Sequence, residues 1–281
     1  MIIDTHVHIY PPDVIRDREK IAEREPHFGA VLRDGGRLGT AEDILTEVAG
    51  ESVVEAWLCG FGFGDLGLCR ACNEYAYETA RDSDGRLKWL CVVPPMVRGA
   101  TAEIDRCAAL GAIGVGEIFP DAQGWGMDEC RETWRIASAC HEHSMYLLVN
   151  VAEYGGPRCA GKGAVSAKEA YAFARNHPEL VIVMARLGGG LFLCESMRNT
   201  RGDLRNVFYD TGSVPFVYDS PIFEAGFSVA PHKIVFGSDF PSLRIERYRE
   251  MLAETRLTDE DVDRLFHKNA MELLSLALGG V

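Results

Sequence analysis

The chain has 281 residues, of which 47% are hydrophobic and 25% charged, and its formal net charge at pH 7 is −13. This is an ordinary globular composition, and the length is sufficient for the core of one α/β barrel. The strong negative charge argues against a nucleic-acid partner and against an anionic membrane surface, because both are bound through clustered Lys and Arg.

The sequence carries no signal that directs it out of a reducing compartment. No apolar run approaches the ~20 residues of a membrane span, and no basic segment followed by an apolar one opens the chain. The nine cysteines are odd in number and scattered, which favours free thiols over a disulfide framework. We therefore predict a cytoplasmic protein without a signal peptide.

Short apolar runs alternate with amphipathic stretches along almost the whole chain. We count eight runs: "MIIDTHVH", "SVVEAWLCGF", "LKWLCVVPP", "AIGVGEIF", "MYLLVNVAE", "LVIVMARLG", "NVFYDTGS" and "KIVFGSDFP". Such alternation predicts parallel strands joined by crossover helices, and eight units favour a single, distorted (β/α)8 TIM barrel over residues 1–281. An open doubly wound sheet is the alternative, because periodicity alone does not show closure.

One long irregular stretch, about residues 10–40, separates the first two predicted strands. It contains several prolines and glycines and one short charged helix, "RDREKIAERE". In a barrel, a loop that follows a strand lies on the C-terminal face, where long loops often shape a pocket. A solvated insertion is the alternative interpretation.

The first strand ends in two histidines. His6 and His8 are two residues apart and therefore face the same side of the strand, with Asp4 one layer deeper. Barrel active sites lie at the C-terminal ends of the strands, and neutral imidazole is a common zinc ligand. Two histidines that are merely hydrogen-bonded at a strand end are the alternative.

Two carboxylates occupy equivalent positions further along the chain. Glu117 ends the fourth predicted strand and Asp239 ends the eighth. A carboxylate after an apolar run is unfavourable unless it is paired or bound to a metal. With the two histidines they form a plausible set of four ligands for one divalent metal ion, most simply zinc, although the same ligands suit manganese or iron.

Three segments, "DTHVHIYP", "GSDFP" and "FHKNAMELL", resemble the amidohydrolase superfamily in the expected order along the chain. The resemblance is to the amidohydrolase-related (amidohydrolase 2) branch, which includes metal-dependent hydrolases, lactonases and non-oxidative decarboxylases. "GVGEIFPD" is similar to the "GEIGLD" element of TatD-like nucleases, whose glutamate is a metal ligand. The resemblance implies a metal-dependent barrel enzyme.

The sequence departs from that family at two strand ends. Members usually carry a histidine after the fifth strand and another after the sixth, whereas this chain has Asn150 and Arg186. In two-metal members those histidines and the fourth-strand acid form the outer site. The resemblance therefore implies one ion at the inner site, held by His6, His8, Glu117 and Asp239. Complete loss of the metal is the alternative.

These residues predict metal-dependent hydrolysis of a small amide, ester or lactone. Asp239 would act as the general base, and Arg186 and Asn150 would fix or polarise the substrate. Arg186 favours an anionic substrate, since a guanidinium binds carboxylates in bidentate fashion. The alternatives are non-oxidative decarboxylation of an unsaturated or aromatic acid and a degenerate, non-catalytic barrel that binds a metabolite or supports a partner.

Position alone makes three loop residues pocket candidates: Trp125, Tyr154 and Arg244 follow the fourth, fifth and eighth predicted strands. We expect the first two to contact substrate. His27, in the long first loop, is a further candidate. The expected partner is a small molecule; a homo-oligomer is compatible with the sequence, which does not determine the oligomeric state.

Overall fold

The computed structural model describes residues 1–50, 53–153, 155–156 and 162–279. Eight strands form one sheet, each parallel to the next, in the order β1 to β8. Their bounds are Ile2–His8, Val53–Cys59, Leu87–Cys91, Gly114–Ile118, Tyr146–Val149, Ile182–Met184, Val207–Asp210 and Ile234–Val235. The expected (β/α)8 barrel is confirmed.

Hydrogen bonds between β1 and the segment that follows β8 close the barrel. Thr5 N donates to Phe236 O at 2.9 Å, and Asp239 N donates to His6 O at 2.9 Å. The two-residue β8 is therefore continued by a strand-like edge. This closure excludes the open sheet, and it places the end of β8 directly beside the histidines of β1.

Helices connect the strands around the outside, except that the four buried residues Ala185–Gly188, labelled α9, form a tight turn in which Arg186 and Leu187 have positive φ. The helices α1 to α14 span Pro12–Arg16, Arg18–Arg24, Pro26–Arg33, Ala41–Gly50, Leu66–Arg81, Ala100–Ala109, Cys130–Glu142, Ala167–Asn176, Ala185–Gly188, Val214–Val217, Pro221–Val229, Ile245–Ala253, Asp259–Asp263 and Asn269–Ala277. A 3-10 helix spans Leu191–Ser196, and a π-helical turn spans Arg264–Lys268. No helix in the described part of the chain is both long and apolar enough to cross a membrane.

The segment between β1 and β2 is more regular than expected. Instead of one charged helix in an irregular loop, it forms the three short helices α1 to α3. Pro12 and Pro26 begin two of them, because proline at the first helical position has a suitable φ and lacks an N–H that would be unpaired there. Residues 31 and 34–37, at the end of this segment, line the cavity described below.

Apolar side chains fill the lower part of the barrel. Trp57 of β2 and Tyr146 and Leu148 of β5 belong to one buried cluster, which includes Ala270 and Leu273 of α14. Because alternate residues of a strand face the same side, the residue two beyond Leu148 faces the interior as well. That residue is Asn150, so polar side chains follow directly above the apolar layer.

Candidate metal centre and active site

A cavity of about 480 Å³ lies at the C-terminal ends of the strands. Pockets of this size suit small-molecule ligands. The residues that line it come from the ends of β1, β4, β5, β6 and β8 and from the loops after β1, β2, β5 and β7. They include the predicted His6, His8, Glu117, Asn150, Arg186 and Asp239, together with Tyr10, Phe61, Phe119, Glu153, Lys162, Ser213 and Phe216.

Four predicted ligands meet at the base of this cavity. The Nε2 atoms of His6 and His8 are 3.0 Å apart. Glu117 Oε2 lies 3.4 Å from the first and 3.5 Å from the second, and Asp239 Oδ1 lies 3.5 Å from His8 Nε2. The side chains of His6, His8 and Glu117 are buried, and that of Asp239 is 19% exposed.

These separations fit a single divalent ion. In a tetrahedral or octahedral centre with bonds of about 2.1 Å, neighbouring ligand atoms lie about 3.0–3.4 Å apart. Donor atoms of His6, His8 and Asp239 all lie within 4.8 Å of one another, and Glu117 Oε2 lies beside the two histidine nitrogens. Two imidazole nitrogens and two carboxylate oxygens are a donor set suited to zinc, manganese or iron.

A buried carboxylate that the sequence reasoning missed orients His6. Asp210 Oδ2 lies 2.8 Å from His6 Nδ1, and Oδ1 accepts from the backbone N–H of Gly212 and of Arg186. A hydrogen bond at Nδ1 fixes the tautomer that turns the Nε2 lone pair toward the cavity. The sequence does indicate this residue: Asp210 ends the apolar run of β7, just as Asp239 follows the apolar run of β8.

The electrostatics of the four groups are mutually dependent. Burial alone would lower the pKa of His6, but the carboxylates of Asp210 and Glu117 raise it well above its ordinary value. Burial alone would raise the pKa of Glu117, but His6 and His8 hold it well below its usual range. Burial raises the pKa of Asp239 even though both histidines act in the opposite direction. The two histidines therefore favour the ionised form of Glu117, whereas burial disfavours the ionised form of Asp239.

Asn150 and Arg186 fill the positions after β5 and β6 where the family resemblance implies histidines. Asn150 Nδ2 donates to Glu117 Oε1 at 2.9 Å, and Arg186 Nη2 donates to Asn150 Oδ1 at 2.8 Å. Oε1 of Glu117 is thus occupied, which leaves Oε2 for the histidines or an ion. Arg186 adopts a left-handed backbone (φ 52°), which is uncommon for a residue with a side chain and frequent at functional sites.

Trp125 lies elsewhere than expected. It is 2% exposed and packs in the core against Phe173 of α8, with ring centroids 5.6 Å apart, and it does not line the cavity. The expectation that Trp125 contacts substrate is therefore corrected: the turn after β4 directs the indole back toward the helical layer. Tyr154 lies outside the described residues. Arg244 is exposed, at the start of α12, and is absent from the cavity lining.

His27 lies behind the apolar wall of the cavity. Its ring is stacked on Phe61 (5.6 Å between centroids) and tilted against Phe119 (4.6 Å). Burial lowers the pKa of His27, which favours the neutral ring. It supports two rings that face the cavity but is not itself among the lining residues.

Three polar cavity residues close to the predicted site, Ser213, Glu153 and Lys162, are among those not anticipated from the sequence. Ser213 donates to Asp239 Oδ2, and its position after β7 makes it comparable to the other strand-end residues. Glu153 and Lys162 lie on the wall next to Arg186, with Lys162 Nζ 3.6 Å from Glu153 Oε2. Both belong to the loop after β5, and no sequence periodicity indicates where such a loop runs.

The sequence profile of the amidohydrolase family matches residues 3–276. The chain therefore belongs to the amidohydrolase family, as its motifs indicated. No curated protein sequence matches it.

Solved structures with a similar barrel include several decarboxylases. The chain is similar to 5-carboxyvanillate decarboxylase from Sphingomonas paucimobilis (14% identity, 97% of this chain and 98% of that chain, TM-score 0.76). It is also similar to 2,6-dihydroxybenzoate decarboxylase from Rhizobium (14%, 98% and 98%, 0.69). A third is dihydroxybenzoic acid decarboxylase from Polaromonas, solved with manganese and the inhibitor 2-nitroresorcinol (12%, 98% and 97%, 0.70). At these identities the likeness establishes the fold.

Proposed function

We propose that this protein is a mononuclear metal-dependent hydrolase of a small ester, amide or lactone that carries a carboxylate. The observation that carries the proposal is the convergence of His6, His8, Glu117 and Asp239 at the base of the cavity, with separations that match one ion. Membership of the amidohydrolase family supports an enzyme of this type.

These four residues would hold the ion, for which we propose zinc. A bound divalent ion supplies a water molecule of lowered pKa and polarises a carbonyl oxygen. Asp210 holds His6 in the tautomer required of a ligand. Asn150 donates a hydrogen bond to the second oxygen of Glu117. The carboxylate of Glu117 would therefore offer one oxygen to an ion and would not bridge two ions.

Asp239 is the proposed general base. Ser213 holds its Oδ2, and the other oxygen faces His8 across 3.5 Å. The carboxylate would accept a proton from the attacking water and return it to the leaving group. Burial raises the pKa of Asp239, which strengthens the carboxylate as a proton acceptor.

Arg186 and Asn150 are proposed to bind the substrate. The guanidinium of Arg186 is nine-tenths buried, and its Nη1 makes no hydrogen bond within the described ranges, so that edge of the fork is open to an anion. Phe61 and Phe119 line the cavity as well and would pack against the apolar part of the substrate. We expect a substrate whose carboxylate binds Arg186 to be preferred over a neutral ester.

Decarboxylation of an aromatic or unsaturated acid is the second candidate. It is favoured by the names of the similar structures, and the cationic wall would suit an acid substrate. The replacement of the fifth- and sixth-strand histidines by Asn150 and Arg186 weighs against it, because the resemblance implies that such enzymes need one of them.

Isotope labelling distinguishes the two reactions. The metal-loaded protein would be assayed in H2¹⁸O against esters, amides and lactones of small dicarboxylic acids and against aromatic acids. We expect one ¹⁸O atom in the product per turnover and no release of carbon dioxide, and His6→Ala serves as the background control. Release of carbon dioxide without label would establish the decarboxylase instead. Bound metal without turnover on any compound would favour a non-catalytic barrel.

A further inference from the structure

A buried carboxylate on the cavity wall lacks a hydrogen-bond donor among the described residues. The Glu153 side chain is 8% exposed, and neither of its oxygens has a hydrogen-bond partner within the part of the chain that the structure describes. The nearest cations are Lys162 Nζ, 3.6 Å from Oε2, and Arg186 Nε, 3.9 Å from Oε1. Both distances exceed that of a hydrogen bond.

The two cations compensate the charge of Glu153 without satisfying its lone pairs. Buried polar atoms in proteins are almost always hydrogen-bonded, and those that are not call for a ligand, a water molecule or a functional explanation. Since Glu153 lines the cavity, a molecule in the cavity can supply the missing donor. That donor is expected to be uncharged, because a third cation would be repelled by Lys162 and Arg186.

The two cations next to Glu153 require a hydrogen-bond acceptor on the same ligand, close to the group that donates to Glu153. Lys162 Nζ donates to Gly155 O at 2.6 Å, which holds the ammonium group next to the carboxylate. Arg186 has an open edge on the other side, as described above. A molecule that carries a donor for Glu153 and an anionic acceptor for these cations on neighbouring carbons would satisfy all three groups.

We propose that Glu153, Lys162 and Arg186 form a subsite for a carboxylate with a hydroxyl group on the neighbouring carbon. The hydroxyl donates to Glu153, and the carboxylate accepts from Arg186 and Lys162. This inference rests on the proposed function in that it names the acidic end of the same substrate. Glu153 becomes the residue that selects the 2-hydroxy acid over the corresponding unsubstituted acid.

The opposite wall defines the rest of the ligand. In an eight-stranded barrel, strands four apart lie across from one another, so β6, which carries Arg186 at its end, faces β2. The loop after β2 supplies Phe61, whose ring packs at 5.2 Å from that of Phe119. Aromatic 2-hydroxy acids therefore fit as probes: the ring contacts this wall while the acid end reaches Glu153.

Binding of three acids with one scaffold tests the proposal. Mandelate (both enantiomers), phenylacetate and phenylglycine carry a hydroxyl, a hydrogen and an ammonium group at the same carbon. By titration calorimetry on the metal-loaded protein we expect mandelate to bind about tenfold more tightly than phenylacetate, the effect of one hydrogen bond to a buried charge. Phenylglycine is expected to bind more weakly than mandelate.

The variant Glu153→Gln is expected to reduce the ratio of mandelate to phenylacetate affinity severalfold, while the loss of the negative charge beside Lys162 and Arg186 strengthens the binding of both acids. Glu78→Gln, on the exposed face of α5, is the matched control. Equal binding of mandelate and phenylacetate by the wild type, tighter binding of phenylglycine, an undiminished preference in Glu153→Gln or no binding of any acid at millimolar concentration would each overturn the proposal. The wild-type comparison needs no variant to fold.

Calorimetry requires no turnover, so the two proposals fail separately. A mandelate preference without ¹⁸O incorporation would retain the subsite and remove the hydrolase. Hydrolysis of substrates without any hydroxyl preference would retain the hydrolase and remove the subsite.

Discussion

Asp239→Asn is expected to lower kcat by about 10²–10⁴-fold, the range typical of a lost general base. Asparagine preserves the shape of the side chain and one oxygen atom that faces His8, but it cannot accept a proton from water. The amide nitrogen then takes the position of Oδ2, which accepts from Ser213 in the wild type, and it can donate to the Ser213 hydroxyl instead, so we expect the fold and most of the metal content to persist. Steady-state kinetics on the substrate found by isotope labelling, with elemental analysis of the same samples, measures both quantities.

Asp105→Asn is the matched control for that variant. Asp105 lies on the exposed face of α6 and pairs with His143, far from the cavity, so its kcat should equal that of the wild type. If Asp239→Asn keeps most of its kcat, Asp239 is not the base. If metal content falls in parallel with kcat, Asp239 acts as a ligand without a separate role in proton transfer.

The double variant Asn150→His, Arg186→His is expected to raise the metal content from one ion per chain to two. The family resemblance implies that histidines at these positions, with the fourth-strand acid, hold the outer ion. The double change removes the hydrogen bond from Asn150 to Glu117 Oε1, which frees that oxygen. Histidine tolerates the left-handed backbone of residue 186 better than most residues do. Elemental analysis after reconstitution with zinc measures the stoichiometry.

Each single variant is the control for the double one. With only one new histidine the outer site lacks a ligand, and we expect the content to stay at one ion. A double variant that is folded but still holds a single ion would contradict the claim that Asn150 and Arg186 are what excludes the second metal. A wild type that already holds two ions would contradict it more directly.

Much of the site could be predicted because strand ends have a strong sequence signal. His6 and His8 share one strand and its period of two, and Glu117 and Asp239 each follow an apolar run where an unpaired carboxylate is unfavourable. Asp210 carries the same signal and could have been found. The count of eight units favoured a closed barrel, but periodicity does not encode the closure itself. Closure depends on hydrogen bonds between residues more than 230 positions apart, such as Thr5 and Phe236.

The loops explain the remaining differences. Trp125 was expected in the cavity from its position after β4, but its turn returns it to the core against Phe173. Glu153 and Lys162 were missed because they meet only through the path of the loop after β5. The helices of residues 12–33 were underestimated, although Pro12 and Pro26 mark two of their starts. Loop conformation depends on tertiary contacts that neither periodicity nor motif spacing encodes.

Metal stoichiometry tests the central claim most directly. The wild type, His6→Ala and the control His143→Ala, a surface histidine paired with Asp105, would be purified without added metal or chelator, reconstituted with zinc and measured by elemental analysis. We expect about one ion per chain in the wild type and in His143→Ala, and its loss in His6→Ala. A wild type that binds no metal after reconstitution, or a His6→Ala variant that retains the ion, would contradict it.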